Sequence, residues 1–270
     1  MSKQQFPGAA LVTGASTGIG ATYADRLARR GHDLILVARD AARLAALAER
    51  LRTETGVAVD VIQADLTNAV DLARVEARLR DDASIDLLIN NAGAALAGDF
   101  VDQDLDKVDN LIQLNVVSVT RLAHAAAGAF KARDRGAIVN ISSVVGLLPE
   151  FRSPVYGATK AYVTYFTQGL RSQLPQTVKL QAVLPGATRT EIWDRSGGGG
   201  AAALDPSTLM EVGDLVDAAL AGFDQGELVT IPSLPDASDF AAYEGARLKL
   251  APNLSRDRPA ARYLALEGVG

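Results

Sequence analysis

The sequence contains no cysteine and only two histidines, His32 and His124. Without cysteine the chain forms no disulfide, carries no thiolate nucleophile and offers no cysteine ligand to a metal. The two histidines are far apart in the chain and lack the spacing of metal ligands. We therefore expect no metal site, and we assign both histidines structural or solvated roles.

Long apolar runs and a dense basic stripe are also missing. No run approaches the roughly 18 apolar residues that a membrane-spanning helix needs. The first residues, MSKQQFPGAALVTG, contain no apolar stretch of signal-peptide length. A net charge of −5 argues against nucleic acid as a main partner. The composition predicts a soluble cytoplasmic protein that binds neither membranes nor nucleic acid.

The sequence does contain a regular alternation of apolar runs with stretches of helical period. In AARLAALAERLRTET, for example, Leu44, Leu47 and Leu51 share one helical face. Continuous apolar strands joined by helices indicate parallel pairing, with both faces of the sheet covered. We predict an α/β fold, a Rossmann-like doubly wound parallel sheet of about seven strands. The candidate strands are Ala9–Val12, Leu34–Val37, Val57–Ile62, Leu87–Ile89, Ala137–Ile141, Leu180–Leu184 and Leu228–Ile231.

This pattern predicts one domain, residues 1–231, and a C-terminal helical appendage, residues 232–270, which is too short for a core of its own. Residues 195–207, RSGGGGAAALDPS, lack anchoring apolar side chains and are predicted to form a mobile loop. The basic cluster of the appendage is interpreted as a solvated face, with a partner or pocket-rim role as the second alternative. Its members are Arg247, Lys249, Arg256, Arg258 and Arg262.

The first predicted strand runs into TGASTGIG, residues 13–20, and an amphipathic stretch follows directly. Glycine permits positive φ and lets a backbone approach a phosphate without a Cβ clash. The start of the following helix offers free N–H groups and the positive end of its dipole. The stretch therefore indicates a nucleotide phosphate site, and a flexible glycine loop is the alternative that the strand and helix around it disfavour.

The Gly-rich loop is one of five motifs by which the sequence resembles the short-chain dehydrogenase/reductase family, over about residues 6–231. The other four are N-N-A-G at Asn90–Gly93, a helical asparagine at Asn115, a serine followed by Y-x-x-x-K at Ser143, Tyr156 and Lys160, and P-G with a later threonine at Pro185, Gly186 and Thr190. All five occur in matching order and spacing. The resemblance implies a cytoplasmic ketoreductase that forms a homodimer or homotetramer.

The side chains of YGATK suit proton transfer. Tyr156 and Lys160 share a helical face, and a cation about 4 Å from the phenol contributes up to about 4 kcal/mol at an effective dielectric of ~20. That equals roughly three pKa units, so we expect Lys160 to lower the pKa of Tyr156 from about 10. Ser143 can then hydrogen-bond the substrate oxygen while Tyr156 gives or takes the proton.

Two polar residues keep two interpretations each. Asn115, in the apolar stretch LIQLNVVSVT, is either a satisfied core amide or, as the resemblance implies, part of a proton relay from Lys160. Asp65 is a helix N-terminal acid, the family's acid beside the adenine ring, or both. The only tryptophan, Trp193, either lines the substrate pocket or packs a lid.

The end of LILVARD, residues 34–40, predicts the cofactor. An acidic residue at this position would hydrogen-bond the ribose 2′-OH and repel a 2′-phosphate. This sequence has Ala38 at that position, followed by Arg39. A guanidinium suits bidentate phosphate binding, so we predict NADP(H) over NAD(H). The alternative is that the strand ends later and Asp40 binds the ribose.

These observations predict an NADP-dependent oxidoreductase that transfers a hydride between the cofactor and a carbonyl or alcohol substrate. The predicted catalytic residues are Asn115, Ser143, Tyr156 and Lys160. The predicted cofactor-binding residues are Gly14, Ser16, Thr17, Gly18, Ile19, Gly20, Arg39, Asp65, Leu66, Asn91, Ala92, Gly93, Tyr156, Lys160, Pro185, Gly186, Thr188 and Thr190. The alternative is a non-catalytic NADP-binding sensor or partner protein. The sequence does not identify the substrate.

Overall fold

The computed structural model describes residues 8–151, 153–197 and 205–264. The described chain falls into two compact units, one ending at Pro232 and one beginning at Ser233. The assignment of cofactor binding and catalysis to residues 1–231 stays a prediction. Of the loop predicted at 195–207, residues 198–204 lie outside the described residues.

A seven-stranded sheet, entirely parallel, forms the centre of the first unit, with strand order β3-β2-β1-β4-β5-β6-β7. The order reverses between β1 and β4, as in a doubly wound α/β fold, so the predicted fold class is confirmed. The strands are β1 (Ala9–Thr13), β2 (Leu34–Ala38), β3 (Val59–Gln63), β4 (Ile85–Asn90), β5 (Gly136–Ile141), β6 (Val178–Val183) and β7 (Val229–Thr230).

The strand bounds differ from the predicted ones by one or two residues. β3 begins at Val59 rather than Val57, because the preceding helix ends at Gly56 in the left-handed region, φ 76°, and the chain needs two residues to turn. Every residue of β1, β2, β4 and β5 is buried, which explains why most of their side chains are apolar.

Helices cover both faces of the sheet. One face packs against α1, α2 and α8, with Tyr23, Leu44 and Phe223 in its core. The other packs against α3 and α5, with Leu79 and Phe130 in its core. The helices of this unit are α1 (Gly18–Arg29), α2 (Ala41–Thr55), α3 (Ala69–Asp81), α4 (Leu105–Ile112), α5 (Val119–Arg133), α6 (Pro154–Leu170), α7 (Ile192–Arg195) and α8 (Val212–Gln225), and a π-helical segment, Gln113–Ser118, joins α4 to α5.

The second unit contains helix α9 (Ala237–Leu248), which Asp236 caps by accepting a hydrogen bond from the Ser238 N–H. None of its described residues is buried. Arg247 pairs with Glu244 and Arg258 with Asp257, so these cations have partners close in sequence. In the part of the chain that the structure describes, no helix is long and apolar enough to cross a bilayer, and no cluster of potential metal ligands occurs.

Asp25 in α1 joins three arginines at the outer surface of the first unit. Its carboxylate, 11% exposed, accepts hydrogen bonds from Arg29 at 3.0 Å, Arg50 at 2.9 Å and Arg26 at 3.0 Å. Burial raises the pKa of Asp25, but the three guanidinium groups outweigh it and hold the pKa below the usual 3.8. The charged carboxylate is therefore the form that stabilises the fold.

We expect Asp25→Asn to lower the free energy of unfolding by about 1–2 kcal/mol at neutral pH, since charge-assisted hydrogen bonds are lost. Because the folded-state pKa is depressed, the difference from wild type is full well above pH 3.8 and disappears as the pH falls below it. Urea unfolding at several pH values measures this. Asp224→Asn, which breaks an exposed pair with Arg30, is the control and should change stability little. A pH-independent loss, or equal losses in both variants, contradicts the prediction.

Candidate active site

The predicted site residues converge at the carboxyl ends of the parallel strands. Asn91 follows β4, Ser143 follows β5 and Pro185 follows β6. The Gly-rich loop follows β1, which neighbours β4 at the point where the strand order reverses. Ligands of doubly wound folds bind in the crevice at this reversal.

The Gly-rich loop turns tightly because two of its glycines have left-handed backbones, Gly14 at φ 66° and Gly18 at φ 54°. A Cβ on Gly20 would lie only 2.3 Å from the Gly14 carbonyl oxygen and 2.5 Å from Nδ2 of Asn91. Each of the three glycines is therefore required, either by its positive φ or by a close contact that a side chain would block. The alternative of a merely flexible loop does not account for these requirements.

Asn91 fastens this loop to the end of β4. Its Nδ2 donates to the carbonyl oxygen of Thr13 at 2.8 Å, and the Thr13 hydroxyl accepts the N–H groups of Asn91 and Ala92 at 2.9 and 3.0 Å. The side chain of Asn91 is thus a brace between the two motifs. Ala92 packs against the core, which leaves its backbone and that of Gly93 at the crevice.

Helix α1 starts inside the Gly-rich loop, with Thr17 as its N-cap and no side-chain capping bond. The N–H groups of its first turn are therefore not capped by that hydroxyl, and together with the helix dipole they suit a diphosphate. Ile19 packs its side chain against the core, so any contact from it to a ligand uses the backbone. Ser16 lies in the turn itself, half-buried.

The end of β2 bears on the choice between Arg39 and Asp40. The strand ends at Ala38, and Asp40 is the N-cap of α2, accepting the Arg43 N–H at 3.0 Å. Arg39 is 71% exposed, and it forms an ion pair with Asp65 at 4.0 Å. The carboxylate of Asp40 is thus used by its own helix, whereas the Arg39 guanidinium is available to an anion.

Arg39 borders a pocket of about 370 Å³ at the ends of β2 and β3. Asp65 lies in the same pocket and accepts the N–H and hydroxyl of Thr67 at 3.0 and 2.7 Å. Burial raises the pKa of Asp65, but these bonds and the charge of Arg39 outweigh burial and keep the pKa below its usual range. Leu66 is a core residue. Asp65 therefore organises the turn before α3 and also faces the pocket.

Tyr156, Ser143 and Lys160 come together where β5 meets α6. Ser143 follows β5 and is buried, and its Oγ donates to the Pro185 carbonyl oxygen at 3.3 Å and accepts the Val145 N–H at 3.2 Å. Lys160 is buried one helical turn beyond Tyr156, with its Nζ 5.8 Å from the centre of the tyrosine ring. The same Nζ donates to the Ile141 carbonyl oxygen at 2.9 Å.

The pKa of Tyr156 differs from our expectation of a lowering by Lys160. Burial raises the pKa of Tyr156, and the hydrogen bond with Ser143 offsets part of this rise. Burial also lowers the pKa of Lys160 to about 8. Both shifts have the same cause, because the low-dielectric pocket disfavours either charged form. The result is a phenol that holds its proton at neutral pH.

Asn115 lies in the π-helical segment, completely buried, and all of its amide hydrogen-bonding groups have protein partners. Its Oδ1 accepts the Ala94 N–H at 2.9 Å, and its Nδ2 donates to the Ala94 carbonyl oxygen at 2.9 Å and to Oγ1 of Thr159 at 3.1 Å. The side chain is a satisfied core amide, as one of the two interpretations held. The relay role stays a prediction and would have to use the backbone of this segment.

Residues 187–197 cross the crevice after β6, and we call them the crossing segment. Thr190 packs on the Gly-rich loop, 3.3 Å from the point where a Cβ of Gly18 would lie. Glu191 forms an ion pair with Arg43 of α2 at 2.9 Å. The indole Nε1 of Trp193 donates to the Thr188 carbonyl oxygen at 2.7 Å, so Trp193 packs this segment together. Whether it also lines a substrate pocket stays open.

The structure also assigns roles to residues that the sequence did not single out. The hydroxyl of Thr13 bonds two backbone N–H groups, Ser142 donates to the Lys160 carbonyl oxygen at 2.7 Å, and Thr159 touches both Asn115 and Tyr156. The sequence did contain a feature that could have pointed to each of them. Thr13 ends an apolar strand, Ser142 directly follows one, and Thr159 directly precedes Lys160. The pair of Arg43 with Glu191 had no such feature.

Comparison with known proteins agrees with the fold and with the motifs described above. The family model described as short chain dehydrogenase matches residues 8–198. An uncharacterized oxidoreductase of Staphylococcus saprophyticus is 30% identical over 82% of this chain and 93% of its own length.

Two solved structures are more similar. A short-chain dehydrogenase from Sphingobium yanoikuyae in complex with NADPH is 56% identical, with a TM-score of 0.91 over 95% of this chain and 100% of its own. A bulky-bulky ketone specific alcohol dehydrogenase from Comamonas testosteroni is 50% identical, with a TM-score of 0.87 over 96% of this chain and 99% of its own.

Proposed function

The chain belongs to the short chain dehydrogenase family of oxidoreductases, and we propose that it reduces bulky ketones with NADPH, using Tyr156 as the proton donor. The observation that carries the proposal is the meeting of Ser143, Tyr156 and Lys160 at one end of the sheet, beside the Gly-rich loop. Bound NADPH supplies the hydride.

The protein's own residues divide the remaining work. Ser143 fixes the substrate oxygen beside Tyr156, whose hydroxyl gives its proton to that oxygen as negative charge develops there. The proton is available because burial raises the pKa of Tyr156. Lys160, with a pKa of about 8, is mostly charged at neutral pH and stabilises the tyrosinate that remains. These protonation states favour reduction near neutral pH, and the reverse reaction needs a higher pH.

Several features of the cofactor crevice support NADPH. The first turn of α1 and the two left-handed glycines suit the diphosphate, and Asn91 holds the Gly-rich loop against the end of β4. Arg39 is largely exposed and only loosely paired with Asp65, so its guanidinium can bind a 2′-phosphate. The residues that we assign to the nicotinamide half are Gly93, Tyr156, Lys160, Pro185, Gly186, Thr188 and Thr190. The Sphingobium yanoikuyae enzyme, at 56% identity, binds NADPH.

The substrate class follows from the loops beside Ser143. Leu148 and Phe151 follow β5, and Phe100 follows β4, all with about half of their surface exposed. Exposed apolar side chains in the loops that follow the carboxyl ends of the strands suit apolar ligands. The Comamonas testosteroni relative is specific for ketones with two bulky groups. We therefore propose ketones with large apolar substituents on both sides of the carbonyl.

The test is a graded set of ketones, from acetone through acetophenone to ketones with two aromatic groups, incubated with NADPH. We expect kcat/KM to rise with the size of the second substituent, measured by the loss of reduced-nicotinamide absorbance. Tight NADPH binding without turnover on any ketone would favour the non-catalytic sensor instead. Turnover of small ketones only would leave the oxidoreductase in place and remove the bulky substrate.

We also propose that the protein is a homodimer or homotetramer formed through α5 and α6, as the family resemblance implied. Tyr165 of α6 is 76% exposed, and Tyr162 stacks on Phe166 at 5.7 Å while bonding Thr120 of α5. Such an aromatic surface suits an interface. Mass in solution, measured by light scattering, tests it. Cytoplasmic location remains a proposal as well.

A further inference from the structure

Thr159 occupies a buried position between two predicted catalytic residues. It lies in α6 directly before Lys160, with 4% of its surface exposed. Its hydroxyl donates to the Tyr156 carbonyl oxygen at 2.7 Å and accepts from Nδ2 of Asn115 at 3.1 Å. A hydroxyl has one proton, so donation to Tyr156 leaves only its lone pairs for Asn115.

That single proton acts together with the N–H and carbonyl groups of Ala94 to fix the orientation of the Asn115 amide. Only the NH₂ group can face Thr159, and Oδ1 must therefore face the Ala94 N–H, as observed at 2.9 Å. A flipped amide would place its oxygen against the lone pairs of Thr159 and the Ala94 carbonyl oxygen. Thr159 thus reinforces the way in which the π-helical segment holds the chain that follows Gly93.

Gly93 connects this arrangement to Lys160. The point where a Cβ of Gly93 would lie is 3.2 Å from Oδ1 of Asn115 and 3.5 Å from Nζ of Lys160. The amide and the ammonium therefore pack against the same backbone. A rotation of Asn115 would change the surroundings of Lys160 as well as the contact to Tyr156, because buried groups are close-packed.

We infer that Thr159 is a positioning residue for the reaction, which aligns Tyr156 and Lys160 with Ser143 by fixing the amide of Asn115. This inference rests on the proposed function. The Thr159 hydroxyl touches neither substrate nor cofactor by this account, and it acts through the Asn115 amide and the Tyr156 backbone. Serine would keep the hydroxyl, whereas valine has the same shape without it.

Thr167 provides a matched control on the same helix. It is fully buried, donates to the Val163 carbonyl oxygen at 2.7 Å and accepts from Nδ2 of Asn140 at 2.9 Å. Thr167→Val therefore removes the same kind of hydroxyl from the same kind of asparagine, about two turns further along α6. A general loss of stability should be similar in the two valine variants, but only one of them should disturb the chemistry.

The experiment compares Thr159→Val, Thr159→Ser and Thr167→Val by ketone reduction, NADPH binding and thermal unfolding. We expect Thr159→Val to lower kcat on the order of tenfold with little change in KM or in the NADPH Kd. The serine variant should retain most activity. In the reverse direction, the apparent pKa of kcat should rise in Thr159→Val alone, because Tyr156 loses its alignment with Ser143.

A second readout does not depend on turnover. In protein with isotope-labelled tyrosine rings, the NMR titration of Tyr156, assigned with Tyr156→Phe, should shift in Thr159→Val and stay unchanged in Thr167→Val. Unchanged titration and kcat in Thr159→Val, or equal effects of the two valine variants, would overturn the positioning role. A wild type that reduces no ketone would instead overturn the proposed function, and the titration would still decide the role of Thr159.

Discussion

Tyr156→Phe is expected to lower kcat for ketone reduction by about 10²- to 10⁴-fold, the usual range for a lost general acid. The substitution removes the hydroxyl next to Ser143 and leaves the ring, the helix and the Lys160 environment in place. The NADPH Kd should therefore change little, and the variant should unfold at nearly the wild-type temperature.

The measurement is single-turnover reduction with NADPH already bound, which separates chemistry from binding. Tyr165→Phe is the control, because Tyr165 lies on the same helix and is largely exposed. Near wild-type turnover in Tyr156→Phe would show that another group supplies the proton. A matching loss in Tyr165→Phe would point to a defect in the helix rather than in proton transfer.

Arg39→Ala is expected to raise the Kd for NADPH by about 10- to 100-fold and to leave the Kd for NADH nearly unchanged. The range corresponds to one or two charge-assisted hydrogen bonds to a phosphate. The effect should weaken at high salt, since the Arg39 side chain is exposed to solvent.

Arg74→Ala is the matched control, since Arg74 borders the same pocket but already pairs with Asp71 at 3.0 Å. It should change the NADPH Kd less than Arg39→Ala does. Fluorescence titration of wild type and both variants with both cofactors gives the six constants needed. If the preference for NADPH survives in Arg39→Ala, the 2′-phosphate is bound by other residues and our cofactor assignment is wrong.

The sequence predicted the parts of this protein that depend on local patterns. The seven parallel strands were predicted from apolar runs such as Leu34–Ala38. Such a run is apolar at every position because helices cover both faces of the sheet. The spacing of Tyr156 and Lys160 predicted a shared helical face, and α6 provides it. The glycines of TGASTGIG predicted positive φ in a loop that runs directly into a helix, and the backbone angles of Gly14 and Gly18 and the start of α1 agree.

The features that the sequence did not determine depend on the residue at which an element ends and on how deeply a side chain is buried. The choice between Arg39 and Asp40 turned on a single residue at the end of β2, and the capping bond of Asp40 favours Arg39. The sequence predicted a lowered pKa for Tyr156 because only the charge of Lys160 could be taken into account. Burial, which the sequence does not quantify, reverses the sign. The pair of Arg43 with Glu191 joins residues far apart in the chain, and no local pattern encodes it.

The indole of Trp193 gives this protein an optical property of its own. It is the only tryptophan in the chain, and it sits in the crossing segment with its Nε1 bonded to Thr188. Intrinsic fluorescence therefore reports one location, beside the Gly-rich loop that Thr190 touches. Cofactor arrival, departure and any movement of this segment can be timed in unlabelled wild-type protein, because every change in indole emission has a single source.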